Sequence, residues 1–419
     1  MQTIPRQRWL RIIPVALIMY TISYVDRTNV ALAFDPRLST AMADLGMDDA
    51  AKGNAIGIFF WGYLLLQIPG GYLANRWSAR KVVSLCLIAW GLAAAGCGLV
   101  KTGSEFRIMR FFLGLAESGV YPATLVLLAN WFPRGERARA NAYWNLCQPL
   151  AVAGAAPVTG ALLGAWGWRT ALIAEGILPF LWLPVWWFGI KDHPRDAKWI
   201  SSEERAYLET TLEAEAREME PASQAPLWKT MTQPVLFVMA PICFLMNFCS
   251  YGCNTFLSAA LKSPDRNFTP FETGVLFAIP YLVTAVVMVL VSRHSDRTRE
   301  RRLHVAAVYA VTGTCLIASV LAARHSFWLS FLFLCLAIQG PFAGLAPFFA
   351  IFPETMPMSA VGAAMGLVNA VGNFGGWAGP ACFGWLKQQT GGTAVPFTVM
   401  GSAILISASL CFFLPRSRH

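Results

Sequence analysis

Twelve apolar stretches of membrane-crossing length recur along this chain, at about 12–34, 53–73, 82–100, 105–132, 140–164, 168–190, 233–260, 271–292, 303–322, 326–351, 361–386 and 393–414. About 20 such residues span roughly 30 Å of hydrocarbon as a helix. Inside a bilayer the backbone must satisfy its own N–H and C=O groups, so runs of this kind fold as helices. The pattern therefore predicts an all-α, multi-pass membrane protein with twelve transmembrane helices. Only 13% of the 419 residues are charged, against about 25% in soluble domains.

The loops carry the orientation. One alternating set holds 22 Lys and Arg residues and the opposite set holds nine. An even number of spans puts both termini on the richer side, which the positive-inside rule makes cytoplasmic. The net charge of +10 is thus spent on short loops, and nucleic acid is not an expected partner. Arg6, Arg8 and Arg11 precede the first apolar run, but that run contains Asp26 and Arg27 and no small-residue cleavage site. It reads as a retained span rather than a signal peptide. The ten cysteines fall in or beside apolar runs without metal-ligand spacing, which suits packing. HExxH and GxSxG motifs are absent from the sequence, which argues against an intramembrane enzyme.

The chain divides into 1–190, a polar linker 191–232, and 233–419. In the linker, Ser201-Ser202-Glu203-Glu204 begins a short amphipathic helix running to Glu220, with Pro221 and Pro226 ending it. The two halves repeat. Gly71-Tyr-Leu-Ala-Asn75-Arg76-Trp-Ser-Ala-Arg80-Lys81 follows span two, and Ser292-Arg-His-Ser-Asp296-Arg297-Thr-Arg-Glu-Arg301-Arg302 follows span eight, 221 residues later. Trp131-Phe132-Pro133 and Ile351-Phe352-Pro353 end spans four and ten at an offset of 220. A parallel repeat of six spans implies two pseudo-symmetric six-helix bundles around a central cavity.

Four charges lie within spans: Asp26 and Arg27 in the first, Arg110 and Glu117 in the fourth. Each costs roughly 2.5–3.5 kcal/mol at the centre of an inserted helix, so a substrate or proton path is the usual reason for them. A static ion pair that packs helices is the alternative. Residues i and i+7 share a helix face, which places Arg110 and Glu117 on one stripe as expected partners. Arg27 and Arg110 fall at similar depth, and two guanidiniums in one cavity suit a carboxylate. Asp26 and Glu117 are then candidate proton sites, because burial and a nearby Arg shift a carboxyl in opposite directions. Protonation of Glu117 is expected to free Arg110 for the anion. Tyr24, Tyr63, Gln148, Asn369 and Asn373 add hydrogen-bonding groups inside apolar spans, with interhelical bonding as the competing role. Glu175 is a further membrane carboxylate, and the glycine-rich stretch Gly362–Gly384 reads as a gate or a packing helix.

The loop pattern resembles the Gly-x₃-Asp-Arg-x-Gly-x-Arg-Arg signature of the major facilitator superfamily, with Asn75 and Ser78 departing in the first copy and Ser292 and Arg299 in the second. The resemblance implies the twelve-helix fold and a conformational clasp involving Arg76, Arg80, Asp296 and Arg297. Tyr24-Val-Asp26-Arg27-Thr-Asn29, Arg110-Phe-Phe-Leu-Gly114-Leu-Ala-Glu117-Ser-Gly-Val-Tyr121-Pro122 and Trp131-Phe-Pro-Arg-Gly-Glu136-Arg137-Ala-Arg-Ala together resemble the anion:cation symporter family. That family includes bacterial sugar-acid, tartrate and phthalate transporters. It implies proton-coupled transport of a small organic anion across the bacterial inner membrane by a monomer without cofactors, protons serving as the coupling ion. It also implies binding roles for Tyr63, Gln148 and one of Asn369 and Asn373. An aromatic carboxylate importer and an organic-anion exchanger or exporter stay open.

Overall fold

The computed structural model describes residues 6–218, 233–261, 267–356 and 358–415. Among these residues every regular element is a helix. The first half contains α1 (Gln7–Ala33), α2 (Ala41–Asp44), α3 (Asp49–Arg76), α4 (Ala79–Cys97), α5 (Gly103–Glu117), α6 (Val120–Trp131), α7 (Arg134–Asn145) and α8 (Cys147–Gly189). The linker carries α9 (Ser202–Glu218). The second half contains α10 (Pro234–Ala260), α11 (Pro270–Thr298), α12 (Arg302–Ala322), α13 (Phe327–Ala337), α14 (Gln339–Ala343), α15 (Leu345–Thr355), α16 (Met358–Thr390) and α17 (Ala394–Leu410).

Ten described helical runs are long and apolar enough to cross a membrane. Two further crossings complete the predicted twelve. The run Arg134–Gly189 breaks at Gly167, whose φ of 75° and ψ of 174° only glycine adopts at low cost, and so crosses twice. The 33-residue α16 is long enough to cross as well, although its glycines and two asparagines lower its hydropathy. Side-chain caps fix several starts: Ser78 accepts from the Lys81 N–H, Thr102 from Glu105, and Thr269 forms a capping box with Glu272.

Both described chain ends and α9 share one face. There Glu204, fully buried, accepts from the Gln7 N–H at 2.9 Å and pairs with the Arg8 guanidinium, which also meets Glu136 at 2.6 Å. The linker helix is thereby docked on the first half. Its expected end at Glu220, Pro221 and Pro226 lies outside the described residues.

At the opposite face the halves close on each other. Lys387 pairs with Asp49 at 2.6 Å, Gln388 donates to Asp48 at 2.8 Å, and Ser258 donates to the Ala31 carbonyl at 2.8 Å. Backbones touch at Gly53 against the Pro380 carbonyl and at Gly160 against the Pro270 carbonyl, where any Cβ would collide. Nearer the termini the same helices part: Gly154, Gly362 and Gly366 border open space. The glycine pattern of α16 thus serves close approach at one end only.

The repeated loops differ where their sequences do. Ser78 is extended, with φ −175°, and caps α4. Arg299, at the equivalent position, is left-handed with φ 55° and ends α11. Glycine suits that second geometry, and arginine occupies it under strain.

Candidate functional site

Close packing of α3 on α5 builds the site. Gly114 lies directly against the Phe59 carbonyl, so the Arg110–Glu117 face is held against Phe59 and Tyr63. From the other side α1 presents Tyr20, Ser23, Tyr24, Asp26 and Arg27, all buried.

Glu117 is fully buried and anchors the cluster. Its Oε2 accepts from Ser23 Oγ at 2.7 Å and from Arg27 through both Nε at 2.9 Å and Nη2 at 2.8 Å. Its Oε1 has no partner. The pairing expected from sequence, Arg110 with Glu117, is not the one that forms. Seven residues along a helix share a face but differ in depth by about 10 Å. Arg27 enters from α1 and takes the carboxylate, while Arg110 Nη1 donates to the backbone carbonyl of Asp26 at 2.8 Å. Asp26 in turn accepts from Trp90 Nε1 at 2.6 Å and makes no ion pair among the described residues.

Four aromatic rings surround the Arg27 guanidinium: Tyr63 at 4.9 Å, Tyr24 at 5.1 Å, Phe59 at 5.2 Å and Tyr20 at 5.7 Å. Phe59 also lies 5.1 Å from the Arg110 guanidinium, so one ring separates two cations. Each such contact contributes about 0.5–2 kcal/mol, more where water is excluded. The cation is therefore held without being neutralised except by Glu117. Tyr24 donates to Gln148 Oε1 at 3.0 Å, and Gln148 Nε2 donates to Asn145 at 3.0 Å, which ties α1 to α8 and α7.

The second half supplies neutral groups. Asn373 on α16 is buried, with Nδ2 unpartnered, and Asn369 is half-buried one turn away. Phe60 packs on Tyr251 of α10 at 4.5 Å and lies against Gly376 of α16, which joins the two halves beside the cluster.

The structure thus gathers Tyr24, Asp26, Arg27, Tyr63, Arg110, Glu117 and Gln148, with Asn369 and Asn373 on the other half. The candidate clasp lies apart, at the termini face, and bonds within each half. Arg76 stacks on Tyr72 at 5.5 Å, Arg80 on Trp187 at 4.4 Å, and Asp296 pairs with Arg301 at 2.6 Å. In the first loop Asp192 supplies the carboxylate that Asn75 lacks, accepting from Ser78 Oγ at 2.6 Å and the Arg80 N–H at 2.9 Å.

Sequence reasoning missed Ser23, Tyr20 and Trp90. Ser23 is four residues before Arg27, so helical spacing carried a signal for it. Glu175 gains partners that periodicity does not reveal: Asn29 Nδ2 donates to it at 2.7 Å, and Thr159 donates to its other oxygen.

The Major Facilitator Superfamily profile matches residues 16–380. A protein named "Putative tartrate transporter" from Agrobacterium vitis is 31% identical, covering 98% of this chain and 91% of its own length. A quinolone resistance transporter from Acinetobacter baumannii is 29% identical over 96% of this chain and 93% of its own. The inward open xylose transporter XylE from E. coli superposes with a TM-score of 0.76 at 14% identity, covering 98% and 97% of the two chains. An inward-facing bacterial homologue of the lysosomal transporter Spinster gives 0.76 at 18% identity, with the same coverage. Those two likenesses concern the fold alone. With its twelve crossings in two repeated halves and a family match over most of its length, the chain belongs to the Major Facilitator Superfamily.

Proposed function

We propose that the protein is a proton-coupled symporter of a small organic anion, a sugar acid or hydroxy-carboxylate, working by alternating access in a bacterial inner membrane. The single observation that carries this reading is the buried Arg27–Glu117 pair, in which one carboxylate and one hydroxyl hold a guanidinium walled by aromatic rings. A substrate carboxylate and the Glu117 carboxylate are chemically alike, and they compete for the same fork of donors. A proton on Glu117 removes its charge and leaves Arg27 for the anion, so proton and substrate load together. Arg110 adds a second cation beside Asp26, the other proton site. Tyr24, Tyr63 and Gln148 from one half, with Asn369 or Asn373 from the other, supply hydrogen bonds to hydroxyls. The names of relatives support the substrate class, among them a "Probable galactarate/D-glucarate transporter" of Bacillus subtilis at 26% identity. The closed face is assigned to the outside and the open, Arg-rich face to the cytoplasm.

The rings around Arg27 favour one second reading, an aromatic carboxylate in place of the sugar acid. Purified protein in liposomes tests both. With an inwardly directed proton gradient, labelled tartrate, glucarate and benzoate are offered in turn. Accumulation of a hydroxy-acid that a protonophore abolishes is the expected result. Glu117→Gln is expected to lose gradient-driven accumulation and keep counterflow exchange. Accumulation that survives the protonophore, or gradient-driven accumulation in the variant, overturns the proposal.

A further inference from the structure

The stretch 293–302, from the end of α11 to the start of α12, carries five arginines within ten residues, and only part of that charge is used internally. Arg301 bonds Asp296 at 2.6 Å and Glu354 at 3.0 Å, and Arg302 donates to the carbonyls of Phe412 and Leu414 at 3.3 Å. Arg293 and Arg297 have no ion-pair partner among the described residues. They lie one turn apart on α11 and line a cavity of about 510 Å³ with Leu290, Val291, His294 and His304.

The histidines are fixed rather than loose. A carbonyl only accepts, so the His304 Nδ1 contact to the Glu300 carbonyl, at 2.5 Å, places a proton on Nδ1. Its Nε2 meets His294 Nδ1 at 2.6 Å, which locks the two rings across the gap between α11 and α12. The open groove therefore has a hydrogen-bonded imidazole pair on one side, two exposed guanidiniums without an ion-pair partner among the described residues, and apolar lining from Leu290 and Val291.

Its position decides what fits. Leu282, Val286 and Leu290 form an exposed stripe along α11, at 52%, 60% and 59% exposure. Gly274, which meets the other half at Ala156, and the buried Phe277, Tyr281 and Thr284 lie on other sides of the helix. The stripe thus faces lipid, and the basic cavity begins where the stripe ends. Basic pockets at that level of a membrane protein suit anionic headgroups, and arginine matches phosphate oxygens in paired geometry.

We propose that Arg293, Arg297, His294 and His304 form a binding site for an anionic phosphate group, supplied by a membrane phospholipid whose acyl chain lies along Leu290 and Val286. The site is independent of the transport cluster and holds whichever anion is carried.

Native mass spectrometry of the full-length protein in detergent micelles tests the assignment. Dioleoyl-phosphatidylglycerol, dioleoyl-phosphatidylcholine and inorganic phosphate serve as probes. Saturable retention of phosphatidylglycerol above phosphatidylcholine is expected. Arg293→Gln with Arg297→Gln should weaken it about 30-fold, from about fivefold for each basic residue at an anionic surface. His294→Asn, which leaves both arginines and the Arg301 network in place, should weaken it less and guards against a folding defect in the double variant. Equal retention of the two lipids, or unchanged retention in the double variant, overturns the site. Displacement of the lipid by inorganic phosphate at matched concentration overturns the lipid source and assigns the site to a soluble phosphate.

Discussion

If Arg27, and not Arg110, is the ionic partner of Glu117, the two arginines must differ in how they couple to that carboxylate. Arg27→Gln strips Glu117 of two of its three donors and leaves Ser23 alone against a fully buried charge. Removing one partner of a buried pair costs about 3–5 kcal/mol, mostly through the charge left behind. Glu117→Gln in the same chain removes that orphan. The double variant should recover at least half the loss, a coupling of about 2 kcal/mol or more. Arg110 gives its hydrogen bond to the Asp26 carbonyl, so Arg110→Gln with Glu117→Gln should be additive within about 0.5 kcal/mol. Scaling the unfolding entropy of about 2.1 cal/mol/K per residue to this length gives about 1 °C in Tm for each kcal/mol. The expected signature is a rescue of about 2 °C or more for the Arg27 pair and none for the Arg110 pair. Thermal unfolding in detergent, followed by tryptophan fluorescence, measures all five variants against the parent. A larger coupling for Arg110 than for Arg27 would refute the assignment.

Two further outcomes test other parts of the fold. Arg299→Gly should stabilise by up to about 1 kcal/mol, since a left-handed L-residue costs about 1–2 kcal/mol and glycine gives back about 0.5–1 kcal/mol in unfolded-state entropy. Ser78→Gly at the equivalent position should destabilise, because Ser78 caps α4 and bonds Asp192; thermal shifts of equal sign would contradict this. Burial raises the Asp35 pKa, but the hydrogen bond and charge of Arg37, helped by Lys52, hold it below its usual 3.8. A depressed carboxyl adds stability that is present above the unfolded pKa and lost as pH falls through the folded one. The Tm difference between parent and Arg37→Gln should therefore be constant above about pH 5 and shrink below about pH 4, and a difference independent of pH down to 3 would count against the Asp35–Arg37 pair as its source.

Most of the fold was legible because bilayer physics leaves few choices. Apolar runs of sufficient length must be helices, and the offset of 221 residues between Asn75 and Asp296 announces two equivalent halves. The residue types of the site were legible for a related reason, since a charge such as Glu117 stands out against lipid-facing sequence. Its partner was not. Periodicity along one helix orders Arg110 and Glu117 on a face, but it says nothing of a second helix that brings Arg27 onto Glu117 and the Asp26 carbonyl onto Arg110. Asp192 was hidden in the same way: it completes the first loop from more than 100 residues away, at the end of α8. Tyr63 stood out as a polar group in an apolar span and Phe59 as an aromatic that suits either a pocket or lipid, but only the approach of α3 to α5 shows that both rings face the Arg27 cation.

The distribution of buried charge bears on the proposed motion between halves. Among the described residues every buried charged side chain, from Arg8 through Asp26, Arg27, Lys52, Arg110, Glu117 and Glu175 to Glu204, belongs to the first half or its linker. The second half answers with neutral groups such as Asn254, which accepts from Tyr281 at 2.6 Å, and Asn373. An ion pair divided across the seam would have to be pulled apart in a low-dielectric interior at every rocking step, at a cost of several kcal/mol. Keeping Arg27 and Glu117 in one half lets the seam open without separating them. Among the described residues the ionic contact that crosses, Lys387 with Asp49, is partly exposed at 18% and 24%, where water can replace each partner. In the proposed mechanism rocking is thereby uncoupled from the cost of the buried pair, and the pair is broken by a proton on Glu117 or an anion on Arg27.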